Sequence, residues 1–251
     1  MQRRIVHKNW FILGLLLVGL HAPVAFAQLS ASGQGAVQRY RAAIRVAESG
    51  ASPSALETAF AALARLREVL LGVRGGATVL ESLSEQQFEA LQRQLPGALI
   101  NRDEVLYVVP DADHFRRLAA ANGDPADKAF FDALKATYPA GSWPVYVEAQ
   151  TDYSGCTRFG SMSLVDTYRA WSDFQRRYPG RYAVAAQAEA KAVLDQLATS
   201  TCSCGDAAGV QAELQRFVQQ FPDLPVRGGV ERRLKAARSG KSVIRLQCVS
   251  G

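Results

Sequence analysis

A chain of 251 residues can form one large domain or two small ones. Its net charge of +6 falls to +3 once the first 27 residues, with Arg3, Arg4 and Lys8, are set aside, and so small an excess argues against nucleic acid as a partner. His114 is the only histidine beyond that stretch, so a multi-histidine metal site is excluded, and a Ser-His-Asp triad would have to use His114 without any G-x-S-x-G elbow.

The chain opens with the pattern of a secretory signal peptide. Arg3, Arg4 and Lys8 precede an apolar run from Trp10 to Leu20, and Ala25-Phe26-Ala27 supplies the small-x-small cleavage site. That run is shorter than the roughly 20 residues a transmembrane helix needs, so no transmembrane anchor is expected after cleavage. Gln28 stands where a lipid-anchored protein would have Cys. The short basic start and the Ala-x-Ala site have a bacterial look, which predicts a periplasmic or secreted chain cleaved after Ala27. Removing 27 residues from 251 leaves 224.

Residues 28–97 read as a helical region. Gln34 to Ser49 places Val37, Tyr40, Ala43, Ile44 and Ala47 on one face, with Gly50 just past the end. Ser52-Pro53 suits the start of a second helix, whose stripe is Leu56, Phe60, Leu63, Leu66 and Leu70. Ser84-Glu-Gln-Gln87 matches a capping box opening a short helix that stops at Leu95-Pro96-Gly97.

Residues 98–160 have a different texture. Glu104 to Val109 is β-branched and aromatic and reads as a buried strand, with Trp143 to Ala149 as a second. Between them Asp111 caps one helix, and Asp124-Pro125 starts another that ends at Tyr138-Pro139. A strand, two helices and a strand suggest a small α/β insert whose strands pair in parallel.

Residues 161–251 carry a repeated layout. Ser163-Leu-Val-Asp166 is another capping-box-like start, followed by Tyr168-Arg-Ala-Trp171-Ser-Asp-Phe174-Gln-Arg-Arg-Tyr178-Pro179. Val210-Gln-Ala-Glu-Leu214-Gln-Arg-Phe217-Val-Gln-Gln-Phe221-Pro222 repeats it 43 positions later, within the range of helical-hairpin repeats. In each copy a large apolar residue recurs at helical spacing, and an aromatic-Pro pair forbids continuation. Phe131, Leu134 and Tyr138 hold the same relative positions one repeat earlier. Helices continue to about Ser239, and Ser242 to Val249 alternates like a strand. The expected fold is therefore mainly α: antiparallel helical hairpins, as a bundle or short solenoid, with a small α/β insert of two or three strands.

The segment from Tyr168 to Ala183, in which Tyr178-Pro179 is followed by Tyr182 and a small residue, resembles the tetratricopeptide-type repeat of bacterial envelope proteins. The likeness covers about residues 163–238, and the second copy departs from it by opening on Leu224-Pro-Val-Arg-Gly228-Gly229. The resemblance implies scaffolding between envelope proteins and carries no catalytic residues.

Four cysteines, Cys156, Cys202, Cys204 and Cys248, in an oxidising compartment imply disulfides. Cys202 and Cys204 are too close to pair with each other comfortably, so one is expected to join Cys156 and the other Cys248. A Cys-x-Cys redox or metal site is the alternative, with no histidine nearby to complete a metal shell. Charge is also unevenly placed: residues 28–149 carry a net −2 and residues 150–251 a net +5. Arg227, Arg232 and Arg233 lead a basic run to Lys241 that is either a docking patch for an acidic partner or the solvated face of a last helix.

Carboxylate-only chemistry survives the histidine filter, with Glu148 and Asp152 as an acid/base pair against cell-wall polymer. No phosphate loop is present, since Gly72-Val-Arg-Gly75-Gly76 lacks the spacing and the lysine, and no cofactor is expected. The expected function is non-catalytic binding of another envelope protein. The alternatives are an inhibitor or immunity-type protein against a secreted enzyme or toxin, and a carboxylate-only cell-wall hydrolase.

Overall fold

The computed structural model describes residues 29–72, 78–103, 106–138, 158–203 and 205–246. The expected leader, the strand expected at Trp143–Ala149, Cys156, Cys204, Cys248, Glu148 and Asp152 lie outside the described residues.

Helix α1 (Ala31–Ser49) starts where Ser30 Oγ accepts from Gly33 N and ends at Gly50, whose φ of +66° is open to glycine. It buries Val37, Tyr40, Ile44 and Ala47 against α2 (Ala55–Leu70), which buries Leu56, Leu63, Leu66 and Leu70. That is the hairpin expected, with one correction. Residues 53 and 54 form a turn, and α2 begins at Ala55 behind Ser54 instead of at Ser52-Pro53. Helix α3 (Val79–Ser82) is a single turn. Helix α4 (Glu85–Gln94) opens on the expected capping box, Ser84 and Gln87 each accepting from the other's backbone N–H.

The described β element is a pair that the sequence reading did not expect, and the partner expected in parallel, Trp143–Ala149, lies outside the described residues. β1 (Ala98–Asn101) and β2 (Tyr107–Pro110) form an antiparallel pair in the register Ala98↔Pro110, Leu99↔Val109, Ile100↔Val108 and Asn101↔Tyr107. Five residues join them, which suffices for a hairpin and is far too short for a parallel crossover. β2 lies on α2, and both Val108 and Val109 are buried, so β2 shows no clean alternation.

Helix α5 (Ala112–Asn122) is capped by Asp111, and α6 (Pro125–Thr137) by an Asp124–Asp127 box with Pro125 in the first turn. The Asn122 amide donates to Ala47 O (3.1 Å) and Glu48 O (2.8 Å), tying the end of α5 to that of α1. Four further helices follow: α7 (Ser163–Arg177), α8 (Ala183–Thr199), α9 (Ala207–Gln220) and α10 (Arg227–Arg238). Helix α7 packs on α8 and α9 on α10 as hairpins, and the hairpins stack, α7 against α9 and α8 against α10. Helix α6 lies against α7 on the other side.

The three aromatic-Pro endings share one backbone geometry. Tyr138, Tyr178 and Phe221 cap α6, α7 and α9 at φ/ψ of −127/66°, −128/63° and −128/64°, each N–H bonded to the carbonyl four residues back. A following proline disfavours helical ψ in the residue before it. Leu95 before Pro96 takes nearly the same conformation, −119/65°.

A continuous apolar core runs from Leu29 to Leu234. At its centre Phe130 stacks on Tyr182 (3.9 Å between centroids, 11°) and meets Phe60, Phe131, Trp171 and Phe174 edge-on. The Trp171 indole N–H reaches Thr137 Oγ1 at 2.9 Å, so its one polar atom is satisfied in the core.

Candidate interaction surface

Two polar systems, one half-buried around a buried Asp127 and one buried, set the hairpins in place. The first surrounds Arg181, in the turn between α7 and α8. Its Nε donates to Glu57 Oε2 (2.8 Å), one terminal nitrogen to Asp124 Oδ2 (2.6 Å) and the other to Asp127 Oδ1 (2.8 Å). Tyr182 completes the network, its N–H donating to Glu57 Oε1 (2.6 Å) and its hydroxyl to Asp127 Oδ1 (2.7 Å). Tyr182 sits at φ +48°, a left-handed conformation unfavourable for a bulky residue, and these bonds hold it there. Burial works against the Asp124 carboxylate, but the Arg181 guanidinium and the backbone N–H groups hold it below its usual range. Arg181 thus bolts α2, the start of α6 and the start of α8 together.

The second system is centred on Glu213 of α9. The capping box expected at Ser163–Asp166 does not form: Ser163 is the first helical residue, Met162 precedes it at φ +70° without a side-chain cap, and Asp166 pairs with Arg169 and Arg216. Glu213 instead accepts from Gly160 N (2.5 Å) and Leu164 N (2.9 Å), capping α7 from the neighbouring hairpin. Close by, the Tyr138 hydroxyl donates to Glu189 Oε2 at 2.7 Å, with the Arg158 guanidinium over the Tyr138 ring.

Burial pushes the Glu213 and Glu189 carboxyls above the usual 4.5, against the hydrogen bonds each accepts. The folded chain therefore binds these protons more tightly than the unfolded chain. Their contribution to stability is complete below about pH 4.5 and is lost as pH rises through the elevated values. Asp166, held low first by its bond from Arg216, acts below its usual 3.8 and leaves this window alone. Glu213→Gln is accordingly expected to flatten the dependence of unfolding free energy on pH above about 4.5, as read from urea titrations. An unchanged slope would mean that Glu213 is ionised throughout.

The basic run is divided by the fold. Arg232 is exposed. Arg227 is half-buried and pairs with Glu231 at 2.7 Å. Arg233 points inward, donating to Ala198 O (2.8 Å) and Ser200 O and covering the Phe159 ring, so it closes the C-terminus of α8. Burial lowers its pKa from the ordinary arginine value. The three residues are one run in sequence but do not share a surface.

Cys202 is disulfide-bonded. Its backbone forms a parallel bridge with Arg245, through Ser203 N to Arg245 O (2.9 Å) and Arg245 N to Thr201 O (2.8 Å), which lays the C-terminal tail along the α8–α9 connection. His114 lies at the start of α5, half-buried, with Nε2 unbonded beside Gly97, and burial lowers its pKa. Among the described residues no group of three or more His, Cys, Asp or Glu side chains is placed to hold a metal ion, and no helix is long and apolar enough to cross a membrane.

Comparison with protein-family models, curated proteins and solved structures finds no match.

Among the described residues the end of the stack remains open. Glu213, Arg216, Phe217 and Gln220 face α7, through Leu164, Asp166, Tyr168 and Arg169. Helical periodicity puts Gln215, Val218 and Gln219 on the opposite side of α9. On α10 the inward Arg233 likewise leaves Glu231, Lys235 and Arg238 on the opposite side, with the buried Leu234 between the two. These two outer faces enclose a groove of about 490 Å³. A smaller trough of about 340 Å³ lies between α6 and α7, lined in part by Ala129, Ala133, Ala136 and Ala170. Sequence reading missed Arg181, Glu213 and the groove. For Glu213 a signal existed: it sits on the apolar stripe Val210, Leu214, Phe217, where a carboxylate needs a partner.

Proposed function

We propose that this is an exported, non-catalytic protein of the bacterial envelope that binds other envelope proteins through stacked helical hairpins. The observation that carries the reading is the stacking of α9–α10 on α7–α8, with the outer face of the last hairpin left open among the described residues. The likeness of residues 163–238 to tetratricopeptide-type repeats and the signal-peptide pattern at the N-terminus point the same way. Glu213, Asp127 and Arg233 are engaged in capping and ion pairing within the fold.

The test is site-specific photocrosslinking in a bacterium that makes the chain with its own leader. A crosslinker at Val218, in the groove, is expected to capture discrete envelope proteins, and one at the exposed Val46 of α1 is expected to capture none of them. The mature chain should begin at Gln28 and carry no free thiol. Retention of the leader, or the same captures from both positions, would overturn the reading.

A further inference from the structure

Resting on that interaction reading, we infer that the groove between α9 and α10 seats an amphipathic helix of a partner protein, its apolar stripe flanked by acidic side chains. The position argues for a helix. Helix α9 occupies the corresponding side of α7, where its Phe217 and Phe221 meet Tyr168 edge-on. The outer side of the last hairpin is the next place in the same stack, and nothing among the described residues covers it.

The lining argues for the charge. Val218 and Leu234 form the apolar floor and Gln215 and Gln219 the wall on α9. The wall on α10 carries Lys235, Arg238 and Glu231. Glu231 is already paired with Arg227, and Arg238 donates to the neutral Gln215 Oε1 at 2.7 Å. Lys235 and the neighbouring Arg232 have no carboxylate within ion-pair distance among the described residues. A helix presenting leucine-type side chains to the floor and glutamate or aspartate to the α10 rim answers both features. A second copy of this face does not, because two-fold pairing would bring together two patches of the same net positive charge, and the one carboxylate each contributes, Glu231, is already paired with Arg227.

Two designed helical peptides with one leucine stripe, flanked by Glu in one and by Lys in the other, test the inference on the intact isotope-labelled chain. The Glu peptide is expected to shift the amide signals of Val218, Gln219, Leu234 and Lys235. Its affinity should fall with added salt, and by about tenfold or more in the double variant Lys235→Glu/Arg238→Glu, which should in turn favour the Lys peptide. Both side chains are exposed, so unchanged circular dichroism would confirm an intact fold. Equal binding of the two peptides, absence of binding, shifts elsewhere, or self-association abolished by the double variant would each overturn the inference. Failure of both peptides with persistent crosslinking from Val218 would remove the acidic helix and leave the interaction reading standing. Loss of the crosslinks alone would do the reverse.

Discussion

Arg181→Ala is expected to destabilise the protein by about 3–5 kcal/mol, the cost of removing one partner from a buried ion pair. The residue left behind is the reason. Asp127 is 1% exposed and would keep only the Tyr182 hydroxyl and the Asp124 N–H. Arg181 itself keeps 28% exposure, so part of its pairing with Glu57 and Asp124 is screened and the lower end of the range is expected. Arg181→Lys should recover little, since an ammonium cannot address three carboxylates in a planar fan. Urea unfolding measures both. A loss for Arg181→Ala below about 1 kcal/mol would show that water replaces the guanidinium without penalty.

Phe174→Ala and Phe217→Ala are each expected to cost about 3–5 kcal/mol, as for buried aromatics elsewhere. Phe174 touches Phe130, Trp171, Tyr178 and Tyr182, and Phe217 touches Tyr168 and Phe221. Both lie at the middle position of the apolar triads, one turn before the aromatic-Pro stop, and equal costs would mark them as equivalent places in two hairpins. A cost under about 1 kcal/mol at either would show a site able to collapse around the vacancy.

What could be read from the sequence was local. The stripes of α1, α2, α6, α7 and α9, the caps at Ser84, Asp111 and Asp124, and the stops at Tyr138, Tyr178 and Phe221 all follow from periodicity and proline sterics within a dozen residues. What could not be read depends on distant partners. Helix α7 is capped by a carboxylate some 50 positions later, so Ser163–Asp166 looked like a cap and was not one. β1 is four residues long, and its pairing was visible only through β2. The basic run was plain as composition, but helical rotation decided which member faces solvent, and that required knowing which side of α10 meets α8. Asp127 repeats the lesson of Glu213. It stands on a stripe with Phe130, Phe131 and Leu134, an acid where the pattern asks for an apolar residue, and in the fold it is the buried end of the Arg181 network.

The bond from Arg181 to Glu57 spans 124 positions of chain. A chain that emerges N-terminus first, from a ribosome or through a translocation channel, presents Phe60, Phe130 and Phe131 long before Tyr182 arrives to pack against them. The first two hairpins must wait with their aromatic face uncovered, the stage at which a folding chain is most prone to associate wrongly. Arrival of the α7–α8 turn ends that wait at once, since one short stretch delivers the guanidinium, the ring and the start of α8 together. The vulnerable interval in the life of this protein is therefore set by the time its chain takes to travel from residue 57 to residue 182.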